Sequence, residues 1–151
     1  MKTFEETVKD AAGTIYEDWF DGGVRCIIMR GPVALCAYLG VPEDHPLAGT
    51  SYDDLPLRCH GGLTFSEKGG GKWHPAGFWW FGWDYAHAGD FCFYDLKQGA
   101  VYSRDKKWTV DEVRAEVSDV LWDFKKLVKL AETTKVKALA TPIGRDGGKG
   151  E

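Results

Sequence analysis

Eight consecutive residues, Phe78 to Tyr85, read FWWFGWDY, and no other feature of the chain restricts its fold as much. Aromatic residues at that density favour an extended strand whose rings are covered on both faces. Strand alternation sends Trp79, Phe81 and Trp83 to one face and Trp80 with Gly82 to the other. The first face is expected to fill a core. The second leaves Trp80 against a helix or lining a cleft, where it can stack a flat ring. The 151 residues are enough for one such core, and 44% of them are hydrophobic.

The elements around this strand follow from periodicity. Val113, Val117, Val120, Leu121, Phe124 and Val128 form one stripe of a helix expected from Thr109 to about Thr133, with Thr109 and Glu112 at capping-box spacing. Phe4, Val8, Ile15 and Trp19 predict a second helix from Thr3 to about Phe20, capped by Thr3 and Glu6 and ended by Asp21-Gly22-Gly23. Val24 to Arg30 and Val33 to Val41 are apolar, β-leaning runs parted by Gly31-Pro32, the pattern of a hairpin. Residues 42–56 hold three prolines and predict a long ordered loop. Leu57 to Phe65 predicts a strand bent at Gly61-Gly62, Ser66 to Pro75 a glycine-rich loop, and Phe91 to Tyr94 a short strand. The expected architecture is α+β: a mostly antiparallel sheet with an N-terminal and a C-terminal helix packed against it. It forms a single domain over 1–136, followed by a disordered tail over 137–151 that is almost devoid of apolar residues.

Charge and missing motifs exclude several functions. The net charge of −4 gives no basic excess for duplex nucleic acid. No run approaches the roughly 18 apolar residues that span a bilayer, and the charged start, Met1 to Glu6, predicts no secretory leader. Cys26, Cys36, Cys59 and Cys92 contain no Cys-x-x-Cys pair and are expected as free thiols. There is no dinucleotide fingerprint, no nucleophile elbow and no P-loop, because Gly69-Gly70-Gly71-Lys72 runs into Trp73. No cofactor is expected.

Three clusters can carry chemistry. The first is Asp44-His45-Pro46-Leu47 with Gly49 and Tyr52-Asp53-Asp54; the second is His60-Gly61-Gly62-Leu63-Thr64; the third is Gly82 to Asp90. The Gly61-Gly62 pair either bends a sheet or aims backbone N–H groups at an anion. Asp84, His87 and Asp90 recur every three residues. A carboxylate beside a histidine suits general acid–base work. Two aspartates and His87, with His60 as a fourth ligand, make a divalent metal the weaker alternative, and no metal is expected. The plainer reading has Asp84 and Asp90 capping turns.

The runs HPLAGTSYDD, CHGGLTF and GFWWFGWDYAHAGD, in that order, resemble a family of small bacteriophage and prophage proteins. The resemblance covers about residues 38–125, with Trp83 standing where Phe is usual. It implies action in the cytoplasm of an infected bacterium. By analogy it resembles phage proteins that capture nucleotide signals of bacterial immunity, as in the Thoeris and CBASS systems. The leading expectation is therefore a protein that sequesters a cyclic ADP-ribose-type molecule or a cyclic dinucleotide. Trp80, Trp83 or Tyr85 would stack the base, while Arg58, Gly61 and Gly62 would meet phosphate. His60, His87, Asp84 and Asp90 would bond ribose or base edges, and the loop carrying His45 and Tyr52, or a second subunit of a homo-oligomer, would close the pocket. The alternatives are a phosphodiesterase using His60 and His87 with Asp84 or Asp90, and an inhibitor that binds a host enzyme through a Trp-rich surface.

Overall fold

The computed structural model describes residues 2–97 and 104–140. Its centre is a five-stranded sheet in the order β1-β2-β3-β5-β4, antiparallel throughout. The strands are β1 (Ile15–Asp21), β2 (Val24–Arg30), β3 (Leu35–Pro42), β4 (Phe65–Lys68) and β5 (Phe78–Asp84). Among the described residues three α-helices complete the fold, α1 (Phe4–Val8), α2 (Phe93–Lys97) and α3 (Val110–Ala140), with a 3-10 turn at Tyr52–Asp54. The α+β architecture expected from the sequence is the one observed.

The N-terminal helix is much shorter than expected. Its capping box forms, with Glu6 N–H on Thr3 Oγ1 at 3.1 Å and Thr3 N–H on Glu6 Oε1 at 2.9 Å, yet the helix stops at Val8. Gly13, at φ +93°, turns the chain, and Ile15–Asp21 becomes an edge strand paired with β2. Gly22 and Gly23, at φ +60° and +83°, close this hairpin as a two-residue turn that only glycine enters without strain. The hairpin expected around Gly31-Pro32 does form, joining β2 and β3. The strand expected at Leu57 to Phe65 is instead a turn, and pairing with β5 begins only at Phe65. The strand expected at Phe91 to Tyr94 gives way to α2. The helix expected to end near Thr133 continues to Ala140, so 137–140 are helical; the rest of the expected tail lies outside the described residues.

Strand β5 separates two cores. Phe81 and Trp83 join Val24, Cys26, Ile28 and Leu39 beneath the α3 stripe of Val113, Val117, Leu121 and Phe124. On the opposite face Trp80 packs with Ile27, Met29 and Tyr38, covered by Phe65, Trp73 and Phe78. The alternation read from the sequence is therefore correct. Aromatic rings on this second face use the glycines facing them: Trp80 lies over Gly40 and Tyr38 over Gly82, where a Cβ would come within 2.7 Å and 2.3 Å of the ring. Buried Arg30 ties α1 down by donating to the carbonyls of Thr7, Val8, Gly31 and Pro32 at 2.8–3.3 Å. The four thiols are unbridged; burial pushes Cys26 and Cys59 up to about 12 and Cys36 up to about 11.

Candidate functional site

Two chain segments meet at the end of β5. One is the turn at His60-Gly61; the other is the loop that leaves the strand at Asp84 and returns through Asp90. A third segment arrives because Asp90 pairs in parallel with Lys106, which carries Trp108 alongside. Phe91 N–H donates to Lys106 C=O, and Lys106 N–H to Gly89 C=O, both at 2.8 Å.

Asp90 is the hub. Its carboxylate is buried, and its hydrogen bonds among the described residues run to groups of this cluster. His60 Nε2 lies 2.7 Å from Oδ2, the His87 backbone N–H donates to Oδ2 at 3.0 Å, and Trp108 Nε1–H donates to Oδ1 at 2.9 Å. Burial by itself pushes the Asp90 carboxyl pKa up. The hydrogen bonds from His60, His87 N–H and Trp108 outweigh it and leave the group below its ordinary value, so it is ionised at neutral pH.

The two imidazoles are placed by different means. His60 stacks on Tyr85 with ring centroids 4.5 Å apart and planes 13° from parallel. Tyr85 in turn accepts from Trp83 Nε1–H and donates to Glu116 on α3. His87 lies directly over Gly61, where a Cβ would be 2.3 Å from Cε1 and 2.4 Å from Nδ1. Only a residue without a Cβ leaves this room, and its φ of +69° also favours glycine. His87 Nδ1 is buried with no hydrogen-bond partner. It lies 3.5 Å from Asp84 Oδ1 and 3.8 Å from Asp90 Oδ2. Asp84 itself is held by Ala86 N–H at 3.1 Å and by the Thr64 hydroxyl at 3.3 Å. The turn-capping role considered for Asp84 and Asp90 is real, and both carboxylates also face His87.

A cleft opens on either side. One, of about 310 Å³, is lined by Cys36, Tyr38, Thr64, Phe65, Trp83 and Asp84. The other, of about 260 Å³, is lined by Arg58, Cys59, His60, Glu116, Asp119 and Val120.

The structure thus gathers His60, Gly61, Asp84, Tyr85, His87 and Asp90 into one place. It reassigns other residues. Trp80, Trp83 and Tyr85 are 0%, 1% and 1% exposed and pack in the cores, so none offers a free face to a base. Gly62 N–H is spent on Cys59 C=O at 3.0 Å, closing the turn instead of meeting an anion. Arg58 shares its cleft with two carboxylates, Glu116 and Asp119, a poor setting for a polyphosphate. His45 uses its ring nitrogens on Leu47 N–H and Glu132, and Tyr52 N–H donates to Ser66 Oγ. With Trp79 Nε1–H on Thr50 C=O, these bonds pin the 42–56 loop to α3, β4 and β5. Trp108 was not expected at the site, and Thr64, a member of the second cluster, had no role of its own there. Trp108 carries one signal: it precedes the Thr109 cap, where an apolar staple residue is placed.

The chain matches no protein-family model, no curated protein and no solved structure.

Proposed function

We propose that the protein is a hydrolase whose centre is formed by His60, His87, Asp90 and Asp84, acting on a small nucleotide-derived molecule. One observation carries the reading: a buried, ionised Asp90 carboxylate is fixed between two histidines, with a second carboxylate across the same imidazole. Clusters of this kind polarise water and move protons. A platform for passive capture needs exposed rings, and the rings expected to provide one are in the cores.

In such a reaction the water oxygen bonds to phosphorus and an ester P–O bond breaks. The proton lost by water stays on the cluster, and the leaving oxygen takes one up. The cleft beside Asp84 supports the choice of substrate. Phe65 gives it a half-buried aromatic wall, while Thr64 and Asp84 supply polar partners. At about 310 Å³ it is at the small end of ligand sites, room for one base of such a molecule. The phage setting implied by the sequence resemblance selects the substrates to try.

The test is chemical. The purified chain is incubated at substoichiometric amount with cyclic ADP-ribose-type molecules and cyclic dinucleotides, then boiled and chromatographed. Product formation that His87→Ala abolishes supports hydrolysis. Intact ligand released on boiling supports the sequestration reading instead. No binding and no product turns attention to a protein partner, although Trp122 is the one tryptophan of seven left exposed.

A further inference from the structure

We propose that His60 Nε2, His87 Nδ1 and Asp90 Oδ2 hold a divalent transition-metal ion, zinc in the first instance. The use of such an ion deepens the hydrolytic reading and rests on it; its binding stands on the geometry alone.

One donor atom from each of His60, His87 and Asp90 can be taken so that the three lie within 4.8 Å of one another. Zinc ligands at 2.0–2.2 Å in a tetrahedron stand roughly 3.3 Å apart. The two separations to Asp90 Oδ2, 2.7 Å for His60 Nε2 and 3.8 Å for His87 Nδ1, straddle that spacing. The orphaned His87 Nδ1 is the second, independent sign. It is buried, it has no hydrogen-bond partner, and carboxylate oxygens of Asp84 and Asp90 lie 3.5 Å and 3.8 Å from it. An unpaired buried nitrogen is a standing cost in a folded protein, and a cation bound there removes it.

The supports of the ligands are also in place. Trp108 Nε1–H holds Asp90 Oδ1, leaving Oδ2 toward the two histidines. The stack on Tyr85 fixes the His60 ring, and Gly61 admits the His87 ring. Outer-shell contacts of this kind orient metal ligands before the ion arrives. Two imidazoles and one carboxylate form the donor set of catalytic zinc with one position left for water; magnesium and calcium prefer oxygen throughout. Asp84, held by Ala86 N–H and Thr64, lies next to His87 and lines the aromatic cleft.

The whole chain, stripped with a chelator, is dialysed against zinc and, separately, titrated with cobalt as a coloured stand-in. We expect one ion per chain and the strong visible absorption of tetrahedral cobalt. Affinity should fall at least ~100-fold in His87→Ala and in Asp90→Asn. Because Asp90 is buried, the His87 variant, whose side chain is 32% exposed, carries the test if Asp90→Asn fails to fold. His45→Ala, on the far loop, should bind as the wild type does. No stoichiometric binding, or binding indifferent to His87→Ala, overturns the ion site. Zinc bound through His87 without turnover upholds the ion and sinks hydrolysis. Turnover by the stripped protein upholds hydrolysis and sinks the ion's part in it.

Discussion

Gly61→Ala isolates what the glycine pair does. The new Cβ would sit 2.3 Å from His87 Cε1 and 2.5 Å from Nε2. Restoring ordinary carbon contact at ~3.5 Å requires the ring to retreat by roughly 1.2 Å. Gly61 also has φ +69°, which costs alanine about 1–2 kcal/mol. Gly62→Ala is the matched control. It carries a similar backbone penalty at φ +83°, but its Cβ would meet nothing within 4 Å. At ~2–4 °C per kcal/mol, both variants should therefore melt about 2–8 °C below the wild type. Only Gly61→Ala should move the imidazole, and a displacement near 1 Å costs on the order of 100-fold in a positioned reaction. The His87 ring-proton NMR signal reads the displacement whatever the site binds. Cobalt affinity and turnover read its consequence. Equal shifts of that signal in the two variants, or an unmoved signal in both, would refute the reasoning, because the clash is the only difference between them.

Three other perturbations test the fold and its electrostatics. Trp83→Ala removes a ring that is 1% exposed, so urea unfolding should show a loss of ~3–5 kcal/mol; a loss below ~1 kcal/mol would contradict its place in the core. Arg30→Met strands the carbonyls of Thr7, Val8, Gly31 and Pro32 and should cost about 3 kcal/mol by the same measurement. A change within ~0.5 kcal/mol, ordinary for surface positions, would show that α1 does not depend on it. His74 is stacked on Phe65, and burial lowers its pKa against a smaller upward pull from Glu67. A histidine whose folded pKa is depressed stabilises fully above the unfolded value near 6.5 and loses that stability as pH falls below it. His74→Phe should therefore flatten the stability profile just below pH ~6.5; an unchanged slope between wild type and variant would refute the assignment.

How legible all this was in the sequence depended on whether the signal was local. The α3 stripe and both capping boxes were readable because periodicity and capping act within a few residues. The β5 alternation was readable for the same reason. The stretch from Ile15 to Asp21 misled because Ile15 and Trp19 also satisfy helical spacing. What decided it was Gly22-Gly23, a turn signal that pairs this strand with β2 and outweighs a helix already weakened by Gly13. The site was half legible. Clustering pointed to His60, Asp84, His87 and Asp90, and they do converge. Nothing local could show that Gly61 is the floor beneath His87, or that Trp108 reaches Asp90 across the Lys106 bridge. Nor could composition tell a ring that stacks a ligand from one that fills a core. That difference is set by α3 on one face and by Phe65, Trp73 and Phe78 on the other.

The paired vacancies on the second face of the sheet have a consequence for how this chain can drift. Gly40 faces Trp80, and Gly82 faces Tyr38, on adjacent strands in register. Each ring occupies the volume its glycine gives up. Neither member can change alone: a larger residue at the glycine collides, and a smaller one at the ring leaves a void. Diverged copies of this protein should therefore keep or exchange these residues two at a time. Co-inheritance of positions 40 with 80 and 38 with 82 would be the trace of this sheet in a lineage whose surface has changed beyond recognition.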